Sequence, residues 1–309
     1  MIVKVNGLKK SFGKTKAVDD VSFIFGSGDI FGFVGPNGAG KTTTMRIIST
    51  LDHPDCGDVC FDGVSAVEYP ERIRLKMGFV PDTLPVVADT TVHEYLDFFA
   101  RAYGINGRDR IRTIGEVEDF TKLTDLRDKL LKSLSKGMKQ RVCLGRALIH
   151  NPDVLILDEP AAGLDPRARV ELRELLQVLS EQGKAILISS HILTELTEIC
   201  NGAIIMEQGK VLEKGSISDI IARGTPRCAI TVRVLDRKAE LQTLLMTIPG
   251  VDNIAVADND IVISLEGGEP ECAELLTFIV GAGFKVSEFQ RKRTDLEDIF
   301  MKITKGAVQ

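Results

Sequence analysis

A glycine-rich segment, GPNGAGKT, occupies residues 35–42 and fits the phosphate-loop pattern G-x-x-x-x-G-K-[ST]. Glycines in such a loop let backbone N–H groups approach phosphate oxygens without obstruction by side chains. Lys41 adds a positive charge, and the Thr42 hydroxyl can ligate Mg²⁺. The pattern predicts a site for a nucleoside triphosphate, without saying what is done with it. The residues expected to contact the nucleotide are Gly35, Asn37, Gly38, Ala39, Gly40, Lys41, Thr42 and Thr43.

Three further polar side chains follow short apolar runs. Asp158 and Glu159 come directly after residues 154–157, and His191 comes shortly after 185–188. Carboxylate oxygen suits Mg²⁺, so Asp158 is a candidate metal ligand. Glu159 could accept a proton from attacking water, and His191 could bind the γ-phosphate region. Taken singly, each also has a structural interpretation: a helix N-cap, a surface charge and a turn histidine.

The elements that must position these groups are short buried strands. Residues 30–34 and the two runs named above are apolar throughout, as strands buried on both faces are. A helix between the last two runs has Asp165 as its N-cap, Pro166 at its first position and Gly183 past its end. This order implies a right-handed crossover in a parallel sheet, hence an α/β fold. Ligands bind beyond the carboxyl ends of such strands, so the three clusters are expected along one edge.

Residues from about 90 to 151 are predicted to be mainly helical and to form a helical subdomain at about 85–151. Thr91 and Glu94 make a capping box that opens the first helix. One apolar face of that helix is predicted to face the core. Its members are Tyr95, Phe98, Phe99 and Ala102.

A second anion site is predicted in SLSKGMKQR, residues 133–141. Ser135 is placed to N-cap a helix that runs to His150 and ends before Asn151-Pro152. Gly137 lets a ligand approach the backbone of the first turn, where free N–H groups and the helix dipole favour an anion. The phosphate loop is already complete, so this second device indicates nucleotide held by another subunit.

Four motifs together carry a family resemblance. SLSKGMKQR resembles the signature sequence of ATP-binding cassette (ABC) proteins, usually written LSGGQ, and VLILDEPAAGLDP resembles their Walker B strand, catalytic glutamate and D-loop. With GPNGAGKTT and the histidine of ISSH, the ordered set covers residues 1 to about 220. The resemblance implies a P-loop NTPase core and ATP hydrolysis in a head-to-tail dimer, with each ATP between one phosphate loop and the opposite signature.

The resemblance also implies individual roles. Glu159 corresponds to the general base, while Ser135 and Gly137 correspond to contacts with the γ-phosphate of the second subunit's nucleotide. Phe12, in KKSFGKTKAV, lies where the family stacks an aromatic ring on adenine. Asp165 belongs to the D-loop by the same correspondence.

Two positions depart from the family pattern. Asp82 follows Pro81 where a glutamine is usual, and no glutamine occurs between Thr44 and Lys139. We expect Asp82 to be able to ligate Mg²⁺, although its short reach leaves the positioning of water open. Lys136 replaces a glycine of the signature, and its cation either helps to bind phosphate or points to solvent.

The pattern changes from about Pro226. Short strands and helices follow in the order βαββαβ with a terminal helix, which is the ferredoxin-like pattern. We therefore predict an ATP-binding domain at 1–224 and an accessory α+β domain at 225–309. The accessory domain either stabilises a dimer or binds a regulatory ligand.

Composition limits the remaining classes of function. A net charge of -5 and a pI of 5.6 argue against a large nucleic-acid interface. No apolar run approaches the roughly 18 residues of a membrane span, and scattered cysteines suit a reducing compartment. Residues 55–63, DCGDVCFDG, are predicted to form a hairpin with Gly57-Asp58 in or near its turn, rather than a zinc site with His53. The chain is thus predicted to be cytoplasmic.

The predicted function is that of the ATPase subunit of an ABC transporter, with ATP and Mg²⁺ as cofactors. Its partners would be integral membrane permease subunits at the inner face of the cell membrane and a second ATPase subunit, with no nucleic acid. TDLEDIFMKIT resembles the C-terminal extension of single-domain ATPases in drug- and antibiotic-exporter systems, which favours export. The alternative is a non-transport ABC ATPase acting on ribosomes or DNA. The transported substrate and the choice between homodimer and heterodimer stay open.

Overall fold

The computed structural model describes residues 1–83, 89–190, 193–224, 227–257, 260–292 and 296–304. The chain divides into two compact units, Met1–Ile217 and Ser218–Ile303. The division lies at the start of a helix, Ile217–Gly224, whose end coincides with the domain boundary proposed from the sequence.

The first unit contains two sheets and the helices around them. Its strands are β1 (Ile2–Phe12), β2 (Thr15–Gly26), β3 (Ile30–Val34), β4 (Cys56–Phe61), β5 (Val64–Ser65), β6 (Met77–Val80), β7 (Val154–Leu157), β8 (Ala185–Ser190), β9 (Gly202–Glu207) and β10 (Lys210–Ser216). Its helices are α1 (Lys41–Ile48), α2 (Pro70–Arg74), α3 (Val92–Ala102), α4 (Gly107–Phe120), α5 (Lys136–Leu148), α6 (Pro166–Glu181) and α7 (Leu193–Ile199), and α8 (Ile217–Gly224) spans the division.

The larger sheet has the order β10-β9-β3-β8-β7-β6, in which only the edge strand β10 pairs antiparallel. The inner strands β3, β7 and β8 are almost wholly buried, which explains why their sequences are apolar without alternation. A second, antiparallel sheet has the order β2-β1-β4-β5, and one apolar core joins it to α1 and the parallel sheet. The predicted α/β fold with a mainly parallel sheet is confirmed.

The register of the parallel strands aligns the predicted clusters. Val34 pairs with Ser190, and Leu157 pairs with Ile188. The phosphate loop follows β3 and Asp158 follows β7, so both lie at the same edge of the sheet, beyond the carboxyl ends of the strands. The strand expected to end at Ile188 continues through Ser189 and Ser190, and both serines are buried.

The helical subdomain consists of α3, α4 and α5, and the predicted capping box of Thr91 and Glu94 is present. The predicted apolar face of α3 is partly wrong, because Phe98 is 63% exposed and Ala102 is exposed. The buried face is rotated about the helix axis relative to the predicted one and comprises Val92, Tyr95, Leu96 and Ala100.

Gly145 on α5 explains the rotation of that face. A β-carbon at this residue would lie 3.2 Å from Val117 and 3.5 Å from both Leu96 and Leu123. The missing side chain at Gly145 leaves a hollow, which is filled by Leu96 of α3, Val117 of α4 and Leu123. Leu96 on α3 is therefore one of the side chains that pack against α5.

The predicted hairpin forms, but its turn was misplaced. Strand β4 includes Gly57 and Asp58, and β5 returns at Val64. Asp62 and Gly63 make the turn, both with positive φ, as the favoured two-residue hairpin loops require.

The second unit has the predicted order of strands and helices. Its elements are β11 (Arg227–Val234), α9 (Lys238–Leu245), β12 (Val251–Ala257), β13 (Asp260–Glu266), α10 (Glu269–Gly281), β14 (Val286–Lys292) and α11 (Leu296–Ile303). The sheet order is β12-β13-β11-β14 and every neighbouring pair is antiparallel, which gives the split-βαβ, ferredoxin-like topology. Residues from β11, β12, β13, α9 and α10 form its own apolar core.

Candidate functional site

The phosphate loop connects β3 to α1 and lies against two other strands. A β-carbon at Gly35 would lie 2.3 Å from the Met206 carbonyl oxygen, and one at Gly40 would lie 2.1 Å from the Ala17 carbonyl oxygen. The Ala39 carbonyl accepts a hydrogen bond from the Gly209 N–H at 2.9 Å. The glycines at both ends of the loop are thus required by close contacts with β2 and β9, in addition to any need of a ligand.

The lysine of the loop is buried at the start of α1. Its Nζ donates to the Gly35 carbonyl at 2.6 Å and to the Pro36 carbonyl at 3.2 Å. Burial lowers the pKa of Lys41, while the negative charges of Glu159 and Asp158 oppose that shift. Asn37 and Gly38, at the tip of the loop, are exposed.

The first turn of α1 presents free backbone donors. Thr43 is half-buried and Thr42 is exposed. The first N–H groups of a helix have no intrahelical partner. Together with Lys41 they form a positively polarised cradle of the kind that binds phosphate.

Asp158 is the buried carboxylate at the end of β7, only 7% exposed. Its Oδ1 accepts hydrogen bonds from the Ser189 hydroxyl at 2.7 Å and the Thr42 hydroxyl at 3.3 Å. Among the described residues, no cationic side-chain nitrogen lies within 4.0 Å of this carboxylate. A buried carboxylate beside a hydroxyl has the oxygen donors that Mg²⁺ prefers, so the residues fit that ion.

Glu159 has an unusual backbone conformation. Its φ is +48°, in the left-handed region that residues other than glycine rarely adopt. Its N–H donates to the Ser189 hydroxyl at 2.8 Å. Ser189 was not among the predicted site residues, although a serine directly after an apolar buried run was a usable signal.

The remaining residues predicted from the motifs on this side of the chain are Asp82, Phe12 and His191. Asp82 is exposed, two residues beyond Val80, whose carbonyl accepts from the Asp158 N–H at 2.9 Å. Phe12 is 55% exposed at the tip of the β1–β2 hairpin, and the Lys10 ammonium lies 5.7 Å from its ring centre. His191 lies outside the described residues.

The signature segment forms the predicted helix start. The Ser135 hydroxyl accepts from the Met138 N–H at 3.3 Å, and α5 has no acidic residue in its first turn. A β-carbon at Gly137 would make only ordinary contact, 3.5 Å from Ala168. The glycine at residue 137 is therefore not required by its neighbours. The helix itself ends at Leu148, slightly earlier than predicted.

Lys136 lies against its own chain. Its Nζ is 2.9 Å from the position that a β-carbon on Gly163 would occupy. Gly163 precedes Asp165, whose carboxylate accepts from the Ala168 N–H at 2.9 Å as the predicted N-cap of α6. Lys136 is exposed, in line with the alternative that its side chain points to solvent, and its stem lies beside Gly163.

Comparisons with known proteins found one family profile and several similar proteins. The family profile described as ABC transporter matches residues 18–162, which include the phosphate loop, the signature and Asp158-Glu159. A Nod factor export ATP-binding protein I from Ralstonia nicotianae is 31% identical over 303 residues, covering 98% of this chain and 94% of that protein. The chain belongs to the ABC transporter family. A second such protein, from Paraburkholderia xenovorans, is 32% identical and covers 99% of this ABC protein.

Three other matches support the same assignment. The linearmycin resistance ATP-binding protein LnrL from Bacillus subtilis is 28% identical over 98% of both chains. The solved ATP-binding subunit of an ABC transporter is 30% identical, with a TM-score of 0.66 over 72% of this chain and 93% of that one. The ADP form of an ATP-binding cassette is 25% identical, with a TM-score of 0.63 over 70% of this chain and 91% of that chain. This ABC protein is thus an ATP-binding subunit with ATPase activity. Within the described residues, no helix has the length and apolar character of a membrane span.

Proposed function

We propose that this ABC ATPase drives an exporter whose membrane-spanning permease subunits are separate chains. The observation that carries the proposal is the extent of the match, since export and resistance ATP-binding proteins align over 98% of the chain. The alignment thus includes the accessory α+β domain proposed at 225–309 as well as the ATP-binding domain at 1–224. ATPases that act on ribosomes or DNA are less favoured, because these relatives are transport proteins and the net charge is -5.

In the proposed reaction the triphosphate lies in the phosphate loop. Lys41 exchanges its bonds to the Gly35 and Pro36 carbonyls for bonds to phosphate oxygens, which recovers hydrogen bonds for a buried cation. A bound Mg²⁺ would neutralise phosphate charge and polarise the terminal phosphoryl group, and Thr42 and Asp158 would hold it. Glu159 accepts the proton of the water that attacks the γ-phosphorus, while the bond to the ADP oxygen breaks.

The remaining site residues complete this proposal. Phe12 stacks on adenine, His191 binds the γ-phosphate, and Asp82 is a further metal ligand. Ser135 and Gly137 bind the γ-phosphate of nucleotide held by the second ATPase subunit. Support for the last role is the exposed N-cap at the start of α5, with its free donors and no acidic residue in the first turn.

The proposed setting is the cytoplasmic, inner face of the cell membrane. Closure of two ATPase subunits around ATP, followed by hydrolysis and reopening, would move the permease subunits. Affinity purification of the chain from detergent-treated cells tests the partner class. Recovery of integral membrane proteins supports the proposal, and recovery of ribosomes or DNA instead contradicts it.

The dimer has a direct test. We expect the Glu159→Gln variant with Mg-ATP to have the solution mass of a dimer, because it retains nucleotide without hydrolysis, and to be a monomer without ATP. Adding Ser135→Arg blocks the second anion site with a bulky cation and is expected to abolish the dimer. A monomer under all conditions would contradict a homodimer that forms without other subunits, and it would point to a different ATPase subunit or to a requirement for the membrane subunits.

A further inference from the structure

A single buried hydroxyl joins the two carboxylate residues of the site. Ser189 is fully buried in β8, where the four preceding residues are all apolar and buried. It lies beyond the last paired residues of β7 and β8, Leu157 and Ile188. Burying a polar side chain among apolar ones is unfavourable in free energy unless its hydrogen bonds are satisfied.

The Ser189 hydroxyl acts in this site both as a hydrogen-bond donor and as a hydrogen-bond acceptor. The hydroxyl donates its one proton to Asp158 Oδ1 at 2.7 Å and accepts the Glu159 N–H at 2.8 Å. One oxygen atom therefore contacts the side chain of the first residue and the backbone of the second. The geometry fixes the two residues relative to each other at the point where the strand ladder stops.

The backbone of Glu159 needs such a restraint. At φ +48° it occupies a conformation that persists only where surrounding contacts hold it. Its N–H lies beyond the paired part of β7, and the Ser189 hydroxyl accepts its hydrogen bond in place of a backbone carbonyl of the neighbouring strand. If the bond were absent, the peptide could relax and carry the carboxylate away from the line of the attacking water.

We propose that Ser189 is a positioning residue that sets the direction of Glu159 and the orientation of Asp158; the inference rests on the proposed roles of those two residues. In this role Ser189 acts through its bonds to Asp158 and Glu159 and not by direct contact with the nucleotide. Its loss should therefore lower kcat much more than it weakens ATP binding.

The test compares two buried serines. Ser189→Ala removes the hydroxyl under study, and Ser189→Thr retains one. Ser49→Ala is the matched control, because Ser49 is also buried and its hydroxyl has no partner among the described residues. We expect kcat to fall by about 10- to 100-fold in Ser189→Ala with the KM for ATP within about twofold, because a small misplacement of a catalytic group has this effect. The control should remain near the wild type, and Ser189→Thr, which keeps the hydroxyl but adds a methyl group in a buried position, should lose much less kcat than Ser189→Ala.

A second readout needs no activity. Amide hydrogen exchange of the peptide that contains Glu159, in nucleotide-free protein, should be about tenfold faster in Ser189→Ala and unchanged in Ser49→Ala, since one hydrogen bond is lost. Unchanged exchange and unchanged kcat in Ser189→Ala would overturn the inference, whereas an inactive Glu159→Gln would still support the proposed function. If the wild type had no ATPase activity, the proposed function would fail and the exchange measurement alone would decide the role of Ser189.

Discussion

The sharpest stability prediction concerns Gly40, the N-cap of α1. Its φ is +101°, and a β-carbon there would lie 2.1 Å from the Ala17 carbonyl oxygen and 2.9 Å from the Met206 methyl carbon. The carbonyl belongs to the backbone of β2, so it cannot turn aside as the end of a flexible side chain can. Gly40→Ala must therefore move the phosphate loop or the strand.

The magnitude follows from two costs. A left-handed conformation costs a residue other than glycine about 1–2 kcal/mol, and forcing an extra methyl group into a packed site costs about 1–3 kcal/mol. We expect Gly40→Ala to lower the free energy of unfolding by about 2–5 kcal/mol. Gly183 is a matched control in the same unit, because its φ is +85° and a β-carbon there meets nothing within 4 Å. Only the conformational cost, about 1–2 kcal/mol, should appear in Gly183→Ala.

Urea unfolding of nucleotide-free protein, followed by far-ultraviolet circular dichroism, measures both variants. The transition of the first unit is the one to compare. Equal losses for the two substitutions would refute the reasoning from overlap. We also expect Gly40→Ala, but not Gly183→Ala, to bind ATP more weakly, because the displaced loop carries Lys41.

Two further predictions use the helical subdomain. Leu96→Ala should lower the free energy of unfolding by about 2–5 kcal/mol, because the side chain is fully buried against the hollow at Gly145. Phe98→Ala on the same helix should change the free energy of unfolding by less than about 0.5 kcal/mol. A larger loss for Phe98→Ala than for Leu96→Ala would mean that the helix face predicted from the sequence is the buried one. Burial also raises the pKa of the Cys143 thiol from 9.0 to about 11. The neutral thiol then stabilises the fold below pH 9.0, and this contribution of about 2–3 kcal/mol is lost as pH rises to 11. Urea midpoints across this range should fall less steeply for Cys143→Ala, and parallel curves would contradict the assignment.

Several features followed from the sequence alone because they depend on neighbours along the chain. The phosphate loop, the N-caps at Ser135 and Asp165 and the capping box at Thr91 each involve only a few consecutive residues. The ferredoxin-like order was readable for the same reason, since each short strand and helix has its own period. Membership of the ABC family rested on motifs of this local kind.

Other features were decided only by the tertiary structure, because they depend on segments far apart in the chain. Gly40 must be glycine because Ala17 and Met206 approach it, and the buried face of α3 is set by the hollow at Gly145. The partnership of Ser189 with Asp158 and Glu159 exists only because β7 and β8 pair in parallel. Sequence periodicity determines which residues can be buried, but packing between distant segments determines which atoms meet.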